Sequence, residues 1–473
     1  MAKPRIRDLV VVLPGMIGSV LEKDGKDLWA VSGSALWRTL ITMGGWLEKL
    51  RLDDPDADDG VVATRLMSDV HLIPGLVKID GYTGITRMIQ TEFEVIEGSI
   101  GSDAPANYFE YPYDWRRDNR RTATELDRFI KERLSRWRDY TNNPEAKTIL
   151  IAHSMGGLVS RHFCEVLGGW EICRALITFG TPHRGSASAL SFLGNGYKKL
   201  FVDLTEALRS FPSAYQLLPI YPIVSSGDEL LRVAEADIPG IDRRRAEEAL
   251  AFHREIETAV AEHVDAPAYR DGFTTLPMVG TRQPTLQSAT LEGGRLAVGG
   301  DLPLGVDPLL GDGDGTVPRL SAIPIELSTS YQDTFVAERH SSLLNHRTLL
   351  QDVRERLVQM QTRGLSAIRG PTVDVEASER AALSVELDDI YLPDEPVTIA
   401  ATIVNGTAPA VIAVITPLDG EQRPLERELD AAEGGFIGDF SDLAPNGYRL
   451  EIRTQDTGPA AATPVHDVFA IAG

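Results

Sequence analysis

The chain has 473 residues, 43% of them hydrophobic and 25% charged, the composition of a folded protein rather than a disordered one. Its length exceeds what one hydrophobic core usually serves, so a large domain with a smaller companion is expected. With 69 Asp and Glu against 47 Lys and Arg, a formal charge of -22 argues against nucleic acid as a partner and against a polybasic membrane anchor, although a local apolar patch can still touch a lipid surface.

The charged segment Met1 to Asp8 runs straight into the apolar residues Leu9 to Leu13. That run is too short and too early for a signal peptide, and no stretch approaches the ~20 apolar residues of a transmembrane helix; a cytoplasmic protein is the expectation. Leu9–Leu13 reads as a buried strand, as do Thr148–Ala152 and Ala175–Phe179. Between the first two, Leu126, Ile130, Leu134 and Trp137 recur at helical spacing. Arg120, Arg121, Arg128, Arg133, Arg136 and Arg138 on that helix are expected to form a solvated face. Cys164 and Cys173 lack the spacing of a metal or redox pair and are expected as buried thiols. Strands alternating with helices imply a mostly parallel sheet covered by helices.

Two stretches fit that sheet poorly. Residues 30–75 follow Trp29 with Trp37, Trp46 and the acidic turn Asp53 to Asp59, and residues 186–300 are helix-rich and broken by Pro212, Pro219 and Pro222. Insertions of this kind commonly cap a site. After Gly370 the texture changes to short strand-like runs, Thr372–Val375, Leu383–Leu387, Val397–Val404 and Val411–Ile415, without helices. They predict a β-sandwich over residues 372–473, following a first domain of residues 1–368, and Leu443 to Tyr448 resembles the tyrosine corner of immunoglobulin-like modules.

The strongest chemical signal is Ile151-Ala152-His153-Ser154-Met155-Gly156-Gly157 between a strand and a helix. A serine at such a sharp turn is projected outward as a nucleophile, and its neighbours must be small; Ala152 stands where glycine is usual. The backbone N–H of Met155, with that of Met16 in the loop Leu13-Pro14-Gly15-Met16-Ile17-Gly18-Ser19, is the expected oxyanion-binding pair. An acid should follow at the end of a later strand, and Gly311-Asp312-Gly313-Asp314-Gly315-Thr316-Val317 offers Asp314, with Asp312 as the alternative. The same loop fails the EF-hand calcium pattern, and no metal or cofactor is expected. The base should come last, ahead of a helix: His340 is chosen over His346, which falls in the first helical turns, while His153 and His183 are read as scaffold. Together these residues imply an acyl-enzyme mechanism in which His340 takes the proton of Ser154 and Asp314 orients the imidazole.

The order of these pieces resembles the lecithin:cholesterol acyltransferase family of α/β-hydrolases. The resemblance rests on the loop Leu13 to Ser19 with Leu21-Glu22, Tyr111-Pro112-Tyr113-Asp114-Trp115-Arg116, Ala152 to Gly157, Phe211-Pro212-Ser213-Ala214-Tyr215-Gln216-Leu217-Leu218-Pro219 and Gly313 to Val317. It implies an α/β-hydrolase fold with cap or lid insertions, glycerophospholipid or related ester substrates, and a membrane-contacting region near Trp29, Trp37 and Trp46. A lipase or phospholipase is the first expectation, an O-acyltransferase using an alcohol acceptor the second, and a non-enzymatic lipid- or partner-binding protein the third. Asp114, Trp115 and Arg116 are assigned scaffold packing. The sandwich is not a usual part of the family, which leaves room for a protein partner there.

Overall fold

In the computed structural model, residues 3–29, 47–67, 71–73, 77–199, 202–303, 305–328, 335–365, 368, 381–420, 423–441, 443–455 and 461–472 are described. Trp37, Trp46 and the predicted strand Thr372–Val375 lie outside them.

A six-stranded sheet forms the frame. Its strands are β1 (Leu9–Leu13), β2 (Tyr108–Glu110), β3 (Thr148–His153), β4 (Cys173–Phe179), β5 (Thr274–Gly280) and β6 (Phe335–Val336), ordered β6-β5-β4-β3-β1-β2. Every neighbouring pair is parallel. Parallel strands need crossovers and are covered on both faces, so they read as unbroken apolar runs: all five residues of β1 and all six of β3 are buried. The crossovers include α1 (Asn119–Thr141), which Asp118 caps by accepting from the Arg120 N–H, α2 (Met155–Arg161) and α3 (Ala187–Gly194). Two further helices, α4 (Arg243–His263) and α5 (Arg347–Thr362), complete the apolar packing with Phe252, Ile256, Val353 and Leu357. This parallel sheet with helices fits the α/β-hydrolase expectation.

Some details depart from the sequence reading. Arg133 on α1 is buried, its guanidinium donating to the Ile100 and Ser102 carbonyls and lying over the Phe109 and Phe129 rings. Arg120 is tied to Glu255 on α4, so the arginine face of α1 is partly an internal one. The insertion expected over 186–300 is interrupted by β5, whose apolar run Pro277 disguises. On either side of β5 lies a small sheet of Glu229–Leu231, Val224–Ser226, Ser288–Glu292 and Arg295–Gly299. Trp29 is 2% exposed, donates its indole N–H to the Ile17 carbonyl and meets Trp115 edge-on. It is a core residue, not part of a membrane-facing surface. Cys164 and Cys173 are free and buried.

A second core gathers residues from Leu383 to Ile471. It lies in a β-sandwich whose first sheet is ordered β7 (Ala382–Glu386), β9 (Val397–Val404), β13 (Gly435–Phe440), β12 (Asp430–Ala432), and whose second is β8 (Ile390–Tyr391), β15 (Val465–Ile471), β14 (Asn446–Thr454), β10 (Val411–Pro417), β11 (Leu425–Glu428). Alternating burial along β9 and β10 is the pattern of strands with one face inward. The Tyr448 hydroxyl donates to the Ala444 carbonyl at 2.6 Å.

Candidate functional site

The site grows from the junction of β3 and α2. One residue must turn the chain from strand to helix, and Ser154 does so at φ 51, ψ −125, a conformation that L-residues adopt only when their surroundings enforce it. Here the enforcement is close packing. A Cβ on Gly156 would lie 2.3 Å from the Pro14 carbonyl oxygen, so only glycine lets the helix start sit against the loop after β1. Met155 opens the helix, and its N–H belongs to the terminal amides that a helix leaves unpaired. Met16 and Ser154 line one cavity.

The opposite wall comes from two loops beyond β5 and β6. Asp314 is 1% exposed; its Oδ1 accepts from the Thr316 and Val317 amides at 2.9 and 2.7 Å, and its Oδ2 faces His340 Nδ1 at 2.7 Å. The backbone repeats the link, since the His340 N–H donates to the Asp314 carbonyl at 2.8 Å. His340 opens a short 3-10 turn before α5 and lines the cavity with Ser154. Asp312 points elsewhere. Burial pushes it up to about 6, its charged neighbours are Arg282 and Arg319, and it makes no contact with an imidazole. His346 caps α5, accepting from the Leu349 N–H, and burial pushes it down. Gly180 directly follows β4 at φ +54, where a Cβ would lie 2.8 Å from His340 Nδ1 and 2.9 Å from Asp314 Oδ2.

A third group was not anticipated. Tyr82, fully buried, accepts from the Gly15 N–H at 2.8 Å and lies 3.2 Å from His153 Nδ1, while His153 Nε2 lies 3.2 Å from the His340 carbonyl. Burial, with the nearby His340 imidazole adding to it, pushes His153 down to about 3. The ring is therefore neutral, and the chemistry permits one arrangement: the Tyr82 hydroxyl donates to Nδ1, and Nε2–H donates to the His340 carbonyl. His153 is scaffold, as expected, but scaffold that links the loop of Met16 to the loop of His340. The Tyr111–Arg116 segment buttresses the same loop. Tyr113 donates its hydroxyl to the Pro14 carbonyl and Trp115 its indole N–H to the Ser19 carbonyl, while Asp114 holds Arg116 and Arg117. No signal in the local sequence marks Tyr82.

Pro182, Phe192, Leu217 and Val317 make the cavity mostly apolar, and its volume is about 30 Å³. Pockets that enclose an organic ligand measure roughly 300–1,000 Å³, so an acyl chain would have to displace part of this lining. Among the described residues no cluster of His, Cys, Asp and Glu is arranged to hold a metal, and no helix is long and apolar enough to cross a membrane.

A parallel sheet covered by helices, with a serine at a strand-to-helix turn and an imidazole lining the same cavity, fits an α/β-hydrolase. Residues 77–256 match the family model for lecithin:cholesterol acyltransferase, the family whose motifs the sequence resembles. The matched segment holds Tyr82 and Ser154 but ends before Asp314 and His340. A search of curated proteins finds no match. Among solved structures, Bacillus licheniformis lipase BlEst2 in its mature form is 14% identical, with 76% of this chain and 92% of that one covered and a TM-score of 0.33. Its propeptide form is 11% identical, with coverages of 98% and 94% and a TM-score of 0.36. Overlaps that loose carry no weight for any residue.

Proposed function

We propose that the protein is a serine lipase or phospholipase that cleaves lipid acyl esters through an acyl-enzyme on Ser154. The observation that carries this reading is the 2.7 Å contact of Asp314 with His340 Nδ1, which leaves Nε2 for the hydroxyl of Ser154 in the shared cavity. His340 takes the proton of Ser154 as the oxygen attacks the ester carbonyl. Asp314 holds the imidazole in the Nδ1–H form and stabilises its cation, and the Met16 and Met155 amides receive the oxyanion. The leaving alcohol departs with the proton of His340, and a second acceptor, activated by the same imidazole, releases the acyl group. The family match and the apolar lining support a lipid substrate. We assign the catalytic unit to residues 1–368 and the sandwich to 372–473. The sheet order β7-β9-β13-β12 against β8-β15-β14-β10-β11 and the Tyr448 corner support an immunoglobulin-like class for the sandwich.

The test is mass spectrometry of products from phosphatidylcholine vesicles, with and without an added long-chain alcohol. Free fatty acid is the expected product; an ester of the added alcohol would make the protein an O-acyltransferase. Ser154→Ala should lose on the order of 10⁶-fold in kcat while melting like the wild type. Activity close to wild type in that variant would sink the mechanism.

A further inference from the structure

We propose that the C-terminal sandwich is a positioning element of the active site, setting the loops that carry the acid and the base. This rests on the reading of Asp314 and His340 given above. The contacts between the two parts of the chain converge on residues next to the reacting groups. Gln283, 1% exposed, uses its side-chain amide as a strand would: Nε2 donates to the Leu383 carbonyl at 3.0 Å and Oε1 accepts from the Val385 N–H at 3.1 Å. These backbone groups belong to β7, the edge of its sheet, whose outer side pairs with no further strand of that sheet. The Gln283 backbone N–H donates to the carbonyl of Gly313, the residue before Asp314. One residue thus links the sandwich edge, by its side chain, to the acid loop, by its backbone.

The base loop is held more heavily. Arg339, directly before His340, donates to the Val385 carbonyl at 3.2 Å and pairs with Asp467 of β15 at 2.8 Å. Asp467 also receives Lys78 at 3.0 Å, and Lys78 reaches Asp389 at 2.6 Å. Glu338, fully buried, accepts from the His466 N–H and from the Arg339 N–H, both at 2.8 Å, and faces His466 Nδ1 at 2.8 Å. A third contact, Arg449 to Asp80, lies two residues from Tyr82. Asp80 in turn receives Asn345 through its carbonyl.

A docked domain that only added stability would have no reason to bond within two residues of the base and of the tyrosine relay and, through Gln283, to reach the residue before the acid. Buried charges such as Glu338 and Asp467 tolerate one arrangement of partners, because any displacement leaves a charge without compensation. The contacts they make hold the loops in the register that proton transfer between Ser154 and His340 requires, where a misplacement of about 1 Å is costly.

The experiment compares full-length Asp467→Ala, Gln283→Ala and Asp467→Asn with the wild type. It reads kcat and KM for a soluble p-nitrophenyl ester, the rate at which a fluorophosphonate labels Ser154, and the melting temperature. In the two alanine variants kcat and labelling should fall together by about ten- to a hundredfold, with KM within about twofold. Asp467→Asn keeps an oxygen for Arg339 and should recover most of that loss. Should Asp467→Ala fail to fold, Gln283→Ala, which removes no charge, carries the test. Folded alanine variants with wild-type kcat and only a lower melting temperature would overturn the proposal, as would a change confined to KM. Failure of the underlying mechanism would show differently, as a wild-type protein unlabelled at Ser154 and a fully active Ser154→Ala.

Discussion

Replacing Asp314 by asparagine changes one oxygen for an NH2 group, and the structure dictates where the NH2 group must go. Oδ1 accepts from both the Thr316 and Val317 amides, so the retained carbonyl oxygen of asparagine has to stay there. The new NH2 then occupies the Oδ2 position, 2.7 Å from His340 Nδ1. Two donors cannot share that distance, and the imidazole must move its proton to Nε2 to accept from the amide. In that tautomer it has no lone pair for the proton of Ser154. A base held in the wrong tautomer loses about 10⁴-fold in kcat, which corresponds to about 5.5 kcal/mol of barrier. Steady-state hydrolysis of a p-nitrophenyl ester by Asp314→Asn measures the loss, and unchanged melting excludes misfolding. Asp312→Asn is the control: its carboxyl sits among Arg282 and Arg319 rather than against an imidazole, and kcat should stay close to wild type. Comparable losses in both variants, or a larger one at Asp312, would refute the reasoning.

Two further outcomes follow from buried polar groups. Tyr82→Phe strands the Gly15 N–H and His153 Nδ1; each unsatisfied group costs about 1–3 kcal/mol, so denaturant titration should show a clear loss of stability and kinetics a lower kcat, and a variant as stable as wild type would contradict the relay. Burial pushes His253 down to about 4 and His153 to about 3. Both are neutral when folded, whereas the unfolded chain protonates them near 6.5. Their contribution is complete above pH 6.5 and is lost as the pH falls toward the folded values. At pH 5 that loss is about 2 kcal/mol for each. Asp312, raised by burial to about 6, works the other way and returns about 1.4 kcal/mol at the same pH. His253→Gln, which keeps a donor for the Gln216 carbonyl, should lose about 2 kcal/mol less than wild type between pH 7 and pH 5; an identical pH dependence would show that His253 is not held neutral.

What the sequence discloses is what local pattern controls. The unbroken apolar runs of β1, β3 and β4, the serine among small residues and the glycine-rich acidic turn are short-range signals, and the structure places Ser154, Met16 and His340 around one cavity, with Asp314 against the imidazole. Less legible was anything decided by a distant partner. Arg133 looked like a solvated helix residue because its shell, the carbonyls of Ile100 and Ser102, lies some thirty positions away. Pro277 concealed β5, and Trp29 gave no hint that its indole would find the Ile17 carbonyl. Gln283, Glu338 and Arg339 read as ordinary loop residues, since their meaning comes from strands more than a hundred positions further on or nearly so. The run of short strand-like segments after Gly370 pointed to a sandwich but not to which face of it meets the loops.

Gly180 sets a boundary on how this site can be redesigned. A methyl group at that position would occupy the space where the carboxylate and imidazole meet, 2.8 Å from one and 2.9 Å from the other, on a backbone that already disfavours side chains. The contact between Asp314 and His340 is thus shielded on that side by bare main chain. Efforts to broaden the pocket for bulkier esters have the Phe192 and Leu217 wall to work with, while residue 180 leaves no atom to spare.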